Sequence, residues 1–534
     1  MKESKGYRLI ELAGVIAIVV ILLVLIMIDN RFYYVYQSFC RIPNGVFAGI
    51  IILCMCGYFW VKKKGIRIWK KNHSINADNS VNLKLKLKLE RQNLALMSVA
   101  LLAIQLITAW QIYFKTGWDC GKLVQMAQEV AFSYRDIGND LYFSMYPNNV
   151  FLVAVFAAVL RFTKFLGLNA DYFPLVAIGC VLIDLAGFFM ADCIRKLTKK
   201  NWIALAAWIV YIILAGLSPW ISIPYSDTYS ILFPVMCIWL YQNRTEKNRS
   251  LTWAFIVFFG WIGSYIKPTV LLTVIALALL EIWDFFCRFR QKEKDISLKK
   301  AAVTWAAMAV SLLLATGING IARHKMGVMP DETKKFTPAH YLMMGLNYET
   351  GGTYDQWDVN FSAAASSVSE RNRAALAQVR YRISQMGMKG LGAHYTRKLL
   401  TNFNDGTFAW GNEGEFYWNI QEKNNGLAKA LRNFYYESGT AYPLFQIIAQ
   451  AAWLLVLCMI PGIFIKGKKA AEQTTAAVML SILAIICFVM LFEARARYLF
   501  LYSPLFILAA SIGFERFLEK AQPVNQTEKE MKTP

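Results

Sequence analysis

Seven ionisable residues lie at or near the ends of apolar segments, although they come from widely separated parts of the 534-residue chain. A carboxylate can accept a proton from a hydroxyl group, and lysine and the forked guanidinium of arginine suit a phosphate group. Residues of these types, if brought together, would bind an anionic ligand and accept a proton beside it. The seven are Asp119, Asp227, Lys267, His340, Glu493, Arg495 and Arg497.

The composition indicates which elements must position these residues. Hydrophobic residues make up 57% of the chain and the mean hydropathy is +0.37, with the apolar residues in long blocks. This pattern is typical of an all-α polytopic membrane protein and excludes a soluble chain. The net charge of +22 comes largely from short loops between the blocks, so we predict anionic membrane lipids, and no nucleic acid, as partners.

Twelve apolar blocks have the length and polarity of transmembrane helices. The first is longer than the core of a signal peptide and lacks a small-residue cleavage site, so we interpret it as a retained anchor. The twelve blocks are 9–28, 44–61, 93–114, 172–193, 202–219, 229–242, 251–266, 269–286, 302–321, 443–465, 473–492 and 498–514.

The basic loops predict the orientation of these helices. They all fall on one side if both termini are cytoplasmic in a plasma membrane, as the positive-inside bias requires. A further apolar stretch at 148–168 contains Arg161 and Lys164, and a span there would reverse every later loop, so we predict an interfacial or re-entrant helix. The basic loops are 62–91, 195–200, 243–249, 288–300 and 466–469.

This topology leaves two large polar regions outside, and it divides the chain into five parts. We expect interfacial helices in the outer loop 115–171 and a mixed, folded outer cap between the ninth and tenth spans. The parts are a helical hairpin with a basic loop (1–92), a transmembrane core (93–322), the cap (323–442), the last spans (443–515) and a polar cytoplasmic tail (516–534).

With this orientation, the seven residues share the outer ends of the spans. Any one of them alone could be a solvated or snorkelled charge, because charges cost much less at the interface than at the bilayer centre. Three cations on the outer face, namely Lys267, Arg495 and Arg497, run against the positive-inside bias and indicate an anionic ligand there. Lys267 also precedes Pro268, which constrains its backbone at the turn between two spans.

From residue 93 onward the chain carries a set of motifs, each of which is weak by itself. A span is followed by Trp118-Asp119 and an amphipathic stretch, then by YPNNVFLVAVF, an aspartate in a short outer loop, and E-x-R-x-R-Y before the last span. This pattern resembles the GT-C superfamily of membrane glycosyltransferases, in particular the protein O-mannosyltransferase and aminoarabinose-transferase branch (glycosyltransferase family 39). The NDGTFAWGNEGEF stretch looks like an outer loop of Gram-positive members.

The resemblance implies roles for several residues. Asp119 matches the catalytic base, Asp227 matches a second acidic residue near the donor, and Lys267, Arg495 and Arg497 would bind the donor phosphate. The implied reaction moves a sugar from a polyprenyl-phosphate donor, such as undecaprenyl phosphate, to an acceptor hydroxyl with inversion. The acceptor remains open between a wall polymer, a glycolipid and a protein hydroxyl. Many mannosyltransferases have Asp-Glu where this chain has Asp119-Cys120, which argues against protein O-mannosylation.

The remaining active-site candidates are His340, Glu493, Tyr146 of the YP motif, and Trp410 and Glu413 in the cap. Aromatic rings and carboxylates suit a hydroxylated ligand, but Trp410 could equally belong to a compact loop core. His340 could be a structural hydrogen-bonding residue. We predict that no cofactor is required. Two carboxylates and His340 could together bind a divalent ion, but their spacing in the sequence matches no metal-binding motif.

Two other functions compete with the enzyme. Twelve spans suit a transporter or flippase for a lipid-linked or anionic substrate, but such proteins place ionisable sites near the midplane, where Asp184 is the clearest charge here. A non-catalytic assembly protein would tolerate replacement of the outer carboxylates.

Overall fold

The computed structural model describes residues 2–28, 40–69, 80–133, 135–168, 172–290, 298–412, 423, 425–465 and 469–520. Within these ranges the fold is all-helical, as predicted, with no β-strand and an isolated bridge between Gly138 and Val328. The helices are α1 (Lys2–Met27), α2 (Asn44–Trp69), α3 (Ser80–Ile112), α4 (Trp118–Phe132), α5 (Leu141–Met145), α6 (Val150–Phe165), α7 (Phe173–Thr198), α8 (Asn201–Tyr211), α9 (Ser226–Ser230), α10 (Leu232–Gln242), α11 (Arg249–Ile266), α12 (Leu271–Arg290), α13 (Leu298–Lys325), α14 (Pro338–Gly345), α15 (Gln356–Ala363), α16 (Val368–Phe403), α17 (Gly426–Tyr435), α18 (Tyr442–Met459), α19 (Lys469–Leu491), α20 (Arg497–Phe500) and α21 (Ser503–Lys520).

Eight helices in the described part of the chain are long and apolar enough to cross a membrane, which makes this a multi-pass membrane protein. Seven of them coincide with predicted spans. The eighth overlaps the stretch 148–168 that the sequence places at the surface. The eight are Lys5–Met27, Gln92–Ile112, Pro147–Phe165, Phe173–Thr198, Pro268–Arg290, Lys299–Lys325, Tyr442–Phe464 and Glu472–Leu491.

The helix bundle has two chemically different ends. At one end, which we call the basic end, the segments 195–200 and 243–249 meet the C-terminal halves of α12 and α21. Lys196 donates to Asn243 over 2.7 Å, and Lys200 lies 3.5 Å from Glu515. The basic loops that these residues belong to therefore share one end of the bundle. The side chains of 61–91 lie outside the described residues.

A buried ion pair ties α1 into the basic end. The guanidinium of Arg516 in α21 donates to both carboxylate oxygens of Glu11, at 2.9 and 3.0 Å, and to the carbonyl oxygen of Ile463. Arg8 donates to the same carboxylate over 2.8 Å. Glu11 and Arg516 are almost fully buried, so this pair fixes α1 against α21 and the end of α18.

The opposite end, which we call the site end, is formed where α4 begins, around α9, between α11 and α12, and between α19 and α21. The apolar helix α6 packs against this end. Phe156, in the middle of α6, packs on Tyr229, whose hydroxyl donates to the carbonyl oxygen of Leu175 in the first turn of α7. Phe151 packs on Tyr265 at the end of α11. Both the start and the middle of α6 therefore lie at the level of the site end.

Above the site end lies the cap, built from α14 to α17. The regular secondary structure in its described residues is helical, whereas the sequence analysis predicted a cap of mixed secondary structure. A small apolar core holds it together, consisting of Met343, Leu346, Ala375 and Val379. Helix α16 bends at Gly387, which has φ 58° and so suits glycine. The part of α16 after this bend packs on α1 and α19, which joins the cap to the bundle.

Candidate functional site

Asp119 occupies the first turn of α4, immediately after the span α3. The chain enters α4 through Trp118, which has φ 40°, a conformation that non-glycine residues rarely adopt. The Asp119 carboxylate is half-buried and accepts a hydrogen bond from the Tyr225 hydroxyl over 3.2 Å. Among the described residues it forms no ion pair. Asp119 is thus an accessible carboxylate that a phenol orients.

Asp227 is in a very different environment. It lies in the short helix α9, is almost fully buried, and forms ion pairs through both of its oxygens. Oδ1 accepts from the ammonium group of Lys267, and Oδ2 lies 3.1 Å from Nε of Arg497. These three residues come from α9, the turn between α11 and α12, and α20. Both cations are themselves buried, so Asp227 neutralises and positions them.

Aromatic rings surround the two cations. The Arg497 guanidinium lies 4.9 Å from the ring centre of Trp118 and 5.0 Å from that of Tyr225, while the Lys267 ammonium lies 4.4 Å from the ring centre of Tyr498. Cation–π attraction is strongest where water is excluded, as it is here. Trp118 and Tyr225 therefore connect Asp119 to the Asp227 ion pairs.

Glu493 and Arg495 form a second ion pair in the EARAR turn. Arg495 donates to Glu493 over 2.8 Å, and the Tyr498 hydroxyl donates to its other oxygen over 2.7 Å. Burial opposes ionisation of Glu493, but Arg495 and these hydrogen bonds outweigh it and lower the pKa of the carboxyl. Glu493 is therefore held as an anion and, like Asp227, has its charge matched. Asp119 differs from both.

Four tyrosines lie near Asp119 on the side that faces the cap. Tyr142 and Tyr146 follow α4, with ring centres 5.1 Å apart, and Tyr341 and Tyr354 come from the cap. The backbone amide of Phe336 donates to Met145, which joins the two sides. Burial raises the pKa of Tyr146, and the nearby carboxylates of Asp119 and Glu493 raise it further. These phenols stay protonated and can donate hydrogen bonds to a hydroxylated ligand.

The other candidates lie away from this cluster. His340 is fully buried in the cap, where Nδ1 is 2.7 Å from the Ser362 hydroxyl and the ring stacks on Phe336. Its environment is that of a structural hydrogen-bonding histidine. Trp410 is also fully buried, packs on Trp220, and donates from its ring nitrogen to the Tyr435 carbonyl, which places it in an aromatic core. Glu413 lies outside the described residues.

The sequence analysis brought Asp119, Asp227, Lys267, Glu493, Arg495 and Arg497 to one end of the molecule, and the structure places all six there. It missed Trp118, Tyr225 and Tyr498. These aromatic residues connect Asp119, the ion pairs of Asp227 and the Glu493–Arg495 ion pair. Each lies within two residues of a predicted site residue, and this proximity in the sequence could have indicated them. Among the described residues, no three side chains are grouped as metal ligands.

The all-helical bundle, its membrane-length helices and a buried ionic cluster at one end define a polytopic integral membrane protein. A family model described as a conserved hypothetical integral membrane protein matches residues 71–518. The chain therefore belongs to this family of integral membrane proteins. No curated protein and no solved structure matches it.

Proposed function

We propose that the protein is a membrane glycosyltransferase that moves a sugar from a polyprenyl-phosphate donor to an acceptor hydroxyl on the extracytoplasmic face. The observation that carries this proposal is the contrast between Asp119 and the other two carboxylates at the site end. Asp227 and Glu493 are buried and paired with cations, whereas Asp119 is half-buried and, among the described residues, contacts phenols and forms no ion pair. A general base needs this accessibility, and a phosphate site needs buried, fixed cations.

In the proposed reaction Asp119 accepts the proton of the acceptor hydroxyl. The acceptor oxygen then forms a bond to the anomeric carbon, the bond from that carbon to the phosphate oxygen breaks, and the electron pair leaves with the lipid phosphate. Attack opposite to the leaving group inverts the anomeric centre. A positioned general base contributes about 10²–10⁴ in rate.

Lys267 and Arg497 would stabilise the charge that develops on the leaving phosphate. Their pairing with Asp227, which the resemblance gave as a second acidic residue near the donor, supports a positioning role for that carboxylate. The three side chains together carry one net positive charge, in surroundings that exclude water. Fixed charges of this kind stabilise a transition state without reorganising during the reaction.

The acceptor would enter between α5 and the cap, past the tyrosines. Phenol hydroxyls and ring faces suit sugar hydroxyl groups, and Asp119, which forms no ion pair among the described residues, adds negative charge on this side. This lining favours an uncharged or cationic acceptor over a strongly anionic wall polymer. The distinction can be tested with acceptors that differ only in charge.

The proposed topology has twelve spans, with both termini and the basic end in the cytoplasm of a bacterial plasma membrane. The contacts of α6 at the level of the site end support an interfacial position for this helix. Tyr172 and Phe173, which begin the next span, pack on Tyr113 and Trp110 near the end of α3, at the same end of the bundle. The chain thus returns to the side from which α6 starts.

The test is transfer of label from radioactive polyprenyl-phosphate sugars to a membrane extract by the purified protein. Asp119→Asn keeps the shape of the side chain and removes the base, so transfer should fall by about 10²-fold or more. Glu129→Gln, in the same helix but remote from the cluster, is the matched control and should keep its activity. Equal transfer by wild type and Asp119→Asn would refute the assignment.

A transporter is the second candidate, because of one residue. Asp184 is buried in α7, and its Oδ1 has no hydrogen-bond partner among the described residues. Buried ionisable groups within membrane helices often belong to transport pathways. If the protein is a transporter, Asp184→Asn should abolish substrate flux in proteoliposomes. If it is an enzyme, the same variant should retain sugar transfer.

A further inference from the structure

Lys398 in the cap is a buried lysine that lies outside the ionic cluster, and burial lowers the pKa of its ammonium group to about 7. It lies in α16 after the bend at Gly387, and its side chain is fully inaccessible to solvent. Its ammonium group donates to two carbonyl oxygens, that of Gly345 over 2.8 Å and that of Phe492 over 2.5 Å. Among the described residues it forms no ion pair. A buried ammonium group with only carbonyl acceptors is costly, so this position requires an explanation.

The two carbonyl groups belong to segments that approach very closely. Gly345 ends α14, and Phe492 follows the last residue of α19. A Cβ atom on Gly345 would lie 2.5 Å from the Phe492 oxygen, so only glycine permits this approach. Close by, the amide of Ala494 donates to the Gly352 carbonyl over 2.7 Å. The cap therefore holds the backbone on both sides of residue 493.

This backbone carries the charged residues of the site. Glu493 lies between the two contacts, and two residues later Arg495 pairs with it. Arg497 follows and reaches Asp227. A shift of the Phe492 carbonyl would move Glu493 directly and would change where α20 begins, and so would alter the position of Arg497.

We propose that Lys398 is a positioning residue, whose ammonium group binds the end of α14 to the end of α19 and thereby fixes Glu493 and Arg497 in the site. The structural part of this proposal stands on the contacts alone. Its consequence for catalysis rests on the proposed glycosyltransferase function. The charge that faces Lys398 is that of Glu493 across the contact. His394 shares the Gly345 carbonyl over 2.9 Å.

Hydrogen–deuterium exchange of the full-length protein in detergent tests the contact directly. Lys398→Met preserves the length of the side chain and removes its donors. We expect peptides covering 489–500 to exchange about tenfold faster, while peptides from α7 and α21 are unchanged. The control is Lys389→Met, an exposed lysine on the same helix, which should leave the exchange of 489–500 as it is in wild type.

Two further variants test the same contact if Lys398→Met does not fold. Lys398→Arg retains the charge and donors and should restore part of the protection of 489–500. Gly345→Ala pushes the Phe492 carbonyl away without altering the lysine, and should produce the same local increase in exchange. Unchanged exchange of 489–500 in folded Lys398→Met or Gly345→Ala would overturn the proposal.

The exchange measurement does not depend on activity, so it separates this proposal from the proposed function. If wild type transfers sugar, Lys398→Met should lower kcat/KM by about tenfold, with partial rescue in Lys398→Arg. If wild type transfers nothing but the local exchange rises as expected, the proposed function fails and the positioning role remains. Full transfer together with faster exchange would overturn the catalytic part alone.

Discussion

Replacing Asp227 by asparagine should lower stability far more than the same replacement at Asp119. Asp227→Asn keeps the shape of a carboxylate that is 1% exposed and that forms ion pairs with Lys267 and Arg497, whose side chains are 8% and 5% exposed. Removing one partner of a buried ion pair costs about 3–5 kcal/mol, because the remaining charge loses its compensation. We therefore expect the free energy of unfolding to fall by about 3 kcal/mol or more.

Asp119→Asn has a different expected effect on stability. The Asp119 carboxylate is half-buried and contacts the Tyr225 hydroxyl, a bond that an asparagine oxygen can also accept. The free energy of unfolding should fall by about 1 kcal/mol or less. Both variants should lose sugar transfer, so stability is what distinguishes a base from a group that positions two cations.

Thermal and denaturant unfolding of the purified variants, in one detergent and at one protein concentration, measure this difference. The double variant Asp227→Asn with Lys267→Met removes a cation together with the carboxylate charge, and should recover part of the lost stability. Equal unfolding midpoints for Asp227→Asn and wild type would refute the interpretation of Asp227 as a buried counterion. If the double variant is less stable than Asp227→Asn by the full free energy that Lys267→Met alone costs, the two residues are not coupled.

Two further predictions concern the basic end and the cap. Arg516→Met leaves the Glu11 carboxylate with fewer partners and should lower the free energy of unfolding by about 3 kcal/mol, as measured by denaturant titration. The exposed control Lys389→Met should leave the free energy of unfolding unchanged. A decrease of less than about 0.5 kcal/mol for Arg516→Met would contradict this prediction. Burial lowers the pKa of His394 from 6.5 to about 4, so the folded protein binds fewer protons between these values and should lose stability as pH falls from 6.5 to 4. In His394→Gln, unfolding midpoints recorded across this range should depend less steeply on pH, and an unchanged slope would exclude His394 as a source of acid sensitivity.

Part of the candidate site could be predicted because charged residues are restricted in membrane helices. Asp119, Asp227 and Lys267 interrupt or end apolar segments, and loop charge assigns their ends of the spans to one side. These patterns depend on local sequence and on hydrophobic length. They group these residues at one end of the molecule without any knowledge of their neighbours, and in the structure the residues lie close together.

The pattern gave no account of how the charges pair. Lys267 and Arg497 were expected to be available to a phosphate, but each is bound to Asp227, from which they are 40 and 270 residues away in sequence. Helix rotation and packing determine such pairs, and hydropathy does not report the direction in which a residue at a helix end points. Lys398 was missed because a lysine in a polar region, here directly after Arg397, resembles any solvated charge.

The amino-acid sequence alone was enough to predict an all-helical, multi-pass membrane protein with its notable charges near helix ends, because the free energy of burying polar groups in lipid acts on each segment separately. Tertiary contacts were needed to show that α6 packs on α9, that Asp119 is more accessible than Asp227 and Glu493, and that the cap binds the backbone beside Glu493. These features depend on contacts between distant segments, whose geometry is fixed by side-chain packing and by close approaches such as that of Gly345 to Phe492.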